Sequence, residues 1–360
     1  MAKGTNYGTE SVQMMDPQTG AEILQLTNNP TVSSNLYFEN VNFTQDSKTV
    51  LFTSKRNAGR DAPSDLYRCD VNGRNLIQLT DRDGVGGACL SYDGTHALFT
   101  VRNEVWAVDM STYEEHMLAK FDDAVGVGNL SVGGEWIFGG SRYSDGTTGV
   151  VRCNASGGGE TKLRTVGSIS HVNASRSGNW LAWIDTSIVN EYDTQTWFVM
   201  RPDGSDNHRW AIQNWAHSAW IGETDRMQGT LLPPAHGIAA CSAEDTSEDQ
   251  AQRIVSGPYF WHSSASMDGN WVVSDTNWPD IGLQLVHVPS GRFATLCLSG
   301  GTNSNHPNHP HPAFSPDGTK VLYNSDRTGV PQVYIVVVPD WLRDELETGT
   351  LLARYKVARR

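Results

Sequence analysis

A tight-turn signal followed by an apolar strand recurs along the whole chain, and this repeat constrains the fold more than any other feature. It reads Gln45-Asp46-Ser47 before TVLFTS, Tyr92-Asp93-Gly94 before HALFTV, and Val132-Gly133-Gly134 before WIFGG. It continues as Arg176-Ser177-Gly178 before WLAWI, Met267-Asp268-Gly269 before WVVSD, and Pro316-Asp317-Gly318 before VLYNSD. A degenerate copy at Gly222-Glu223-Thr224 fills the one double-length gap. Counting the third turn residue, the copies lie 47, 40, 44, 46, 45 and 49 residues apart. Several short strands per period of about 40–50 residues is the signature of a β-propeller. Asp-Gly supplies the positive-φ positions that a tight hairpin needs.

A second hairpin signal lies further along most repeats, at Thr19-Gly20, Asn72-Gly73, Ser111-Thr112, Gly157-Gly158, Asp203-Gly204 and Ser290-Gly291. Each repeat thus reads as four strands, A to D, and seven repeats predict an all-β, seven-bladed β-propeller. The Thr19-Gly20 hairpin precedes the first A strand, and the last repeat runs out soon after QVYIVVV. The N-terminal segment is therefore expected to supply outer strand material to the last blade and close the ring. Residues 341–360 read as a short helix and a frayed tail. With no linker visible, residues 1–360 are expected to form a single domain.

The composition is that of a soluble globular protein, with 38% hydrophobic and 19% charged residues. No segment approaches the roughly 18 consecutive apolar residues of a membrane span. Met1 to Glu10 is polar and lacks the apolar core of a secretory signal. The cysteines, Cys69, Cys89, Cys153, Cys241 and Cys297, are scattered and odd in number. That pattern predicts free thiols and a reducing, cytoplasmic compartment. A net charge of −13 argues against nonspecific nucleic-acid binding. It leaves an anionic substrate open, because a local basic cluster overrides the global sign.

Counting back seven residues from each turn reaches the start of strand A, the innermost strand of a blade. The occupants are Asn40, Gly87, Val127, His171, His217, His262 and His311. Four consecutive blades carry histidine at one structural position, although the chain has only 11 histidines. Any one of them reads equally well as an ordinary buried histidine. Four in register converge on the mouth of the central channel, and converging imidazoles have no packing rationale. Around the last, the sequence is Asn305-His306-Pro307-Asn308-His309-Pro310-His311-Pro312. His309 and His311 are two apart and face one side in extended structure. His306, His309 and His311, with His262 from the neighbouring blade, form a candidate metal site. Imidazole is the commonest metal ligand at neutral pH and suits Zn, Mn, Fe or Ni.

The B-to-C loops emerge at the same face. Eight or nine residues after the turn, four blades place an arginine: Arg56, Arg102, Arg142 and Arg327, with Arg60 nearby. Singly, such residues are ordinary surface arginines. As a ring they suit bidentate grip on carboxylates, and Arg56, Arg60, Arg142 and Arg327 are taken as substrate-binding candidates.

These residues match a family pattern. The chain resembles the oligogalacturonate lyases in DPQTGAEILQLT, in NLYFENVNFTQDSKTVLFTSKRNAGR and in DLYRCDVNGRNLIQLTD, most sharply in HPHPAFSPDGTKVLYNSDRTG. The likeness covers most of the chain and is weakest in the middle blades. FSPDG alone is unspecific; HPH directly before it is much more specific. The resemblance implies a seven-bladed propeller that degrades short pectin fragments in the bacterial cytoplasm, with manganese held by three histidines and a glutamine. By position the histidines are His262, His309 and His311. The glutamine position is occupied here by His306, a departure that keeps Zn, Fe and Ni in play beside Mn. The proton-abstracting histidine of the family corresponds to His217.

The implied chemistry is β-elimination on an acidic oligosaccharide. A base removes the C5 proton α to a uronate carboxylate, the C4 oxygen leaves, and a 4,5-unsaturated sugar remains. A neutral His217 suits the base, a metal and flanking arginines suit the enolate-like charge, and His171 either orients the substrate or assists the leaving group. A rival from another class is a non-catalytic propeller scaffold resembling the TolB type, which leaves the histidine register without a role. A lyase or other metalloenzyme acting on a different uronic acid is the second rival.

Overall fold

The protein is described by a computed structural model, covering residues 2–56, 64–82, 84–277, 279–304 and 306–350. Seven antiparallel sheets follow one another around a ring. Residues 33–78, 88–120, 124–166, 169–209, 215–256 and 260–297 form blades 1 to 6, each a four-stranded meander in chain order. Blade 7 is five-stranded, and its chain order is broken as the repeat predicts. Its inner strands are Ala313–Phe314, Lys320–Ser325 and Gln332–Val337, followed outward by the N-terminal strands Glu22–Gln25 and Val12–Met15. Ile23 pairs with Val336 and Leu24 with Ile335, so an N-terminal strand is hydrogen-bonded to the last strand of the described residues. This closure joins both ends of the ring in one blade.

The strands are apolar on both faces because each blade is sandwiched between two others. Leu51 and Leu66 of blade 1 pack with Leu90, Ala97 and Phe99 of blade 2. The alternate residues Val50, Phe52 and Tyr67 pack instead with Leu322, Val333 and Ile335 of blade 7. The period-2 alternation of a strand thus serves two interfaces instead of one core and one solvent face. Trp180, Trp197 and Trp210 meet Trp215 and Trp220 between blades 4 and 5, the most aromatic of these interfaces.

A helix, Asp340–Thr348, ends at Gly349 in the left-handed conformation that glycine adopts without strain. It buries Leu342 and Leu346 against blades 6 and 7. No helix among the described residues is long and apolar enough to cross a membrane. All five cysteines are free and buried, and burial pushes the Cys89 and Cys153 thiols up to about 12.

Candidate active site

Three of the four register histidines, His171, His217 and His262, sit at β-bulges. In blades 3 to 6 the pairing of the innermost strand shifts register, between Gly128 and Ser131, Ser170 and Asn173, Ala216 and Ala219, and Phe260 and Ser263. A bulge adds an unpaired residue and re-aims its side chain. His171, His217 and His311 occupy positive φ, at 49°, 51° and 46°. A non-glycine residue there costs about 1 kcal/mol or more. The same conformation in three blades marks a position maintained against that cost, as functional sites often are. Asn129 takes the equivalent conformation in blade 3, at φ 50°. Gly87 of blade 2 packs against it so closely that a Cβ there would stand 2.3 Å from the Asn129 nitrogen.

Blade 1 departs from the repeat. Residues 36–42 form no strand but cross the channel mouth and bring Tyr37, Phe38 and Glu39 among the histidines. Asn42 and Asn40 brace the crossing: Asn42 Oδ1 accepts from Leu36 N–H at 2.9 Å, and Asn40 Nδ2 donates to Leu36 O at 2.8 Å. The Tyr37 ring lies 4.5 Å from His311 and 6.0 Å from His262, and Phe38 lies 5.4 Å from His262. The two rings pack against the cluster.

His262, His309 and His311 present nitrogens that all lie within 4.8 Å of one another. His309 Nδ1 and His311 Nε2 are buried with no hydrogen-bond partner among the described residues. Buried polar atoms are rarely left unpaired, and a cation satisfies all three imidazoles at once. Asp275, unremarked in the sequence, supports this cluster. Its Oδ1 accepts from His262 N–H at 2.6 Å and its Oδ2 accepts from His262 Nδ1–H at 2.9 Å. A ligating histidine is commonly held in this way, with Nδ1 protonated and Nε2 free for a metal. Burial, reinforced by the neighbouring histidines, holds His262 and His311 well below the usual imidazole range. All of this fits a divalent ion with three protein ligands and open positions.

The fourth expected ligand stands apart. His306 is exposed, and its ring stacks on His311 at 4.4 Å, but its nitrogens do not join the mutual set. It lies in the same loop as His309 and His311 but at the loop's exposed start, whereas His311 is buried next to the strand Ala313–Phe314.

His217 lies 4.4 Å from His262 and stacks on Trp261 at 5.6 Å with an interplanar angle of 19°. Burial, and then the positive charge His262 would carry, hold its pKa well below the usual value. Both effects disfavour the charged ring. His171, one blade back, hydrogen-bonds Glu39 through Nδ1. Burial opposes a charge on its ring, but the adjacent carboxylate outweighs burial and raises its pKa.

The arginine ring is only partly assembled. Arg56 is buried and ion-paired to Glu10 at 2.6 Å, between the rings of Tyr7 and Tyr67. It clamps the N-terminal segment to blade 1. Arg327 donates to the carbonyls of Leu298 and Ser299 at 3.0 and 2.8 Å and lies over Tyr334. Neither guanidinium is free to grip a ligand, because loop position predicts location but not which partner the group takes. Arg60 lies outside the described residues. Arg102 and Arg142 are exposed at the B-to-C ends of blades 2 and 3.

Two cavities open at this face. One of about 340 Å³ lies between His171 and His217, walled by Trp197 and Trp215. Another of about 350 Å³ is lined by Tyr37, Glu39, Asn129, His171 and His306.

Comparison with known proteins follows the same lines. A family profile described as oligogalacturonate lyase matches residues 1–136. The oligogalacturonide lyase of Pectobacterium atrosepticum is 23% identical, the match covering 94% of this chain and 99% of that protein. The oligogalacturonate lyase of Dickeya dadantii is likewise 23% identical, over 94% of this chain and 99% of its own length. Among solved structures, an oligogalacturonate lyase in complex with manganese superposes with a TM-score of 0.83 at 20% identity, covering 95% of this chain and 100% of the other. The Vibrio parahaemolyticus oligogalacturonate lyase gives a TM-score of 0.82 at 19% identity, over 95% of this chain and 100% of the other.

Proposed function

We infer that this chain, a relative of the oligogalacturonate lyases, is a metal-assisted lyase that cleaves short oligogalacturonides by β-elimination. The observation that carries this reading is the buried three-histidine cluster with orphaned nitrogens, set beside a fourth imidazole, His217. Full-length similarity to enzymes of that name supports the substrate class. The solved relative holding manganese supports manganese as the ion.

His262, His309 and His311 hold the ion, with His306 at its margin. When bound, the ion supplies a Lewis acid that stabilises the negative charge building on the substrate carboxylate. Every other role falls to the chain. His217 receives the C5 proton; a general base must be unprotonated, and burial keeps it so. Trp261, stacked behind it, fixes the plane of the ring. Tyr37 and Phe38 pack apolar rings against the cluster, and a less polar surrounding strengthens charge interactions there. Arg102 and Arg142, the exposed arginines of the set, receive further carboxylates of the oligomer. His171 serves the substrate from the blade before that of His217. Five buried thiols suit a reducing compartment, in keeping with a cytoplasmic enzyme.

The test is purified protein, reconstituted with manganese, incubated with digalacturonate. The reading requires growth of the ultraviolet absorbance of a 4,5-unsaturated uronate. Saturated products, or none, would sink it.

A further inference from the structure

We propose that His171 is the general acid that protonates the departing glycosidic oxygen, and that Glu39 is the positioning residue that orients and charges it. This rests on the lyase reading above and assigns a part of the reaction that His217 and the metal ligands leave uncovered. Removing the C5 proton is half of an elimination. The C4–O bond must also break, and an alkoxide is a poor leaving group unless a proton reaches it.

Three features single out His171. Its Nδ1 is engaged by Glu39 Oε1, so Nε2 is the ring nitrogen left to deliver a proton. Glu39 arrives from the blade 1 crossing, 132 residues away in sequence. No local requirement of blade 4 explains its presence. Second, His171 lines both cavities of the mouth, and the two lining sets share no other residue. Two linked sugars lying in the two cavities place their bridging oxygen at His171. Third, His171 adopts the left-handed bulge conformation of His217, so the two rings are presented by equivalent backbone from adjacent blades.

The surroundings fit a charged ring. Glu39 and Tyr37 face it from the crossing segment, and Trp197 packs at 6.0 Å from blade 4. His217, His262 and His306 bear on it electrostatically from blades 5, 6 and 7. Asp193 lines the same cavity as His171 and His217. With Glu39 adjacent, the raised pKa of His171 opposes the lowered one of His217. Such a split within one site separates an acid from a base.

The step balances. His217 accepts the proton from C5, the C–H electrons become the 4,5 double bond, and the C4–O bond breaks. The departing oxygen takes the proton from His171 Nε2. His217 ends protonated and His171 neutral, and exchange with solvent restores both.

The experiment compares two substrates on the manganese-loaded full chain. One is digalacturonate; the other is a uronate bearing a nitrophenyl ether at O4, whose leaving group needs no proton. His171→Gln should lose about 10²–10⁴-fold on the first and under about tenfold on the second. Glu39→Gln should lower the His171 pKa, read by histidine NMR, and move the alkaline limb of kcat/KM to lower pH. Equal losses on both substrates from an active parent overturn the acid and make His171 a substrate-gripping group. An unmoved limb and an unmoved His171 titration overturn Glu39. A parent inactive on both substrates overturns the lyase reading itself, while the NMR titration still reads the Glu39–His171 pair separately.

Discussion

Replacing Asp275 by asparagine should weaken metal binding without touching a ligand. The Asp275 carboxylate accepts two hydrogen bonds from His262, one from the backbone and one from Nδ1. Asparagine keeps one acceptor and turns the other into a donor. If the remaining acceptor serves the backbone N–H, the amide NH₂ points at Nδ1 and favours the tautomer with Nε2 protonated. That proton occupies the lone pair that would meet the ion. Losses of such supporting groups cost about 10–100-fold in metal affinity, or about 1.4–2.7 kcal/mol of binding free energy. The assay is calorimetric titration of the metal-free protein with manganese. Circular dichroism serves to verify that the β signal persists. His309→Ala is the reference for outright loss. If Asp275→Asn bound the ion as tightly as the parent, His262 would not be a ligand held by that carboxylate, and the cluster would need another explanation.

His309→Ala and His311→Ala should each abolish stoichiometric ion in elemental analysis while the melting transition survives, since the interfaces between the blades stand without the ion. Arg142→Ala and Arg102→Ala should each weaken oligouronide binding several-fold at low salt, with the difference shrinking as salt screens the charge; isothermal titration at two ionic strengths reads this. Arg56→Ala should instead lower stability by about 1.5–3 kcal/mol in urea titration, because it breaks a part-buried charged hydrogen bond. The Glu39–His171 pair also gives a pH signature. The folded pKa of His171 is raised from 6.5, so its contribution to stability is fully present below that value and fades as pH climbs through the folded one. The melting deficit of Glu39→Gln should therefore be largest at mildly acid pH and smaller in alkali.

The blades and the order of the histidines were legible because both follow from a period. Turn residues recur at fixed offsets, and in blades 2 to 7 a residue seven before the turn falls in, or within two residues of, the innermost strand. The closure by Glu22–Gln25 was legible for the same reason, as a repeat missing its last strand. What broke the period was not. Residues 36–42 carry the sequence of a degenerate strand A, and only the three-dimensional path shows them crossing the mouth. Their mutual asparagine brackets were the available hint. Asp275 reads as an ordinary strand-end residue in WVVSDT, because its partner is 13 positions away on a paired strand. The partners of Arg56 and Arg327 were not legible for a different reason. Loop length set their face, but Glu10 and the carbonyls of Leu298 and Ser299 took Arg56 and Arg327, and no local pattern encodes those partners.

The central claim is that one imidazole beside the metal cluster does the proton abstraction, and His217→Ala tests it most directly. Two quantities are read on the same sample: manganese per chain, and the rate of unsaturated uronate formation from digalacturonate. The account predicts an unchanged ion content with a rate lower by about 10²–10⁴-fold, the contribution typical of a positioned acid–base group. A variant that keeps its ion and its rate would contradict the assignment of the base, and one that loses its ion would make His217 a ligand.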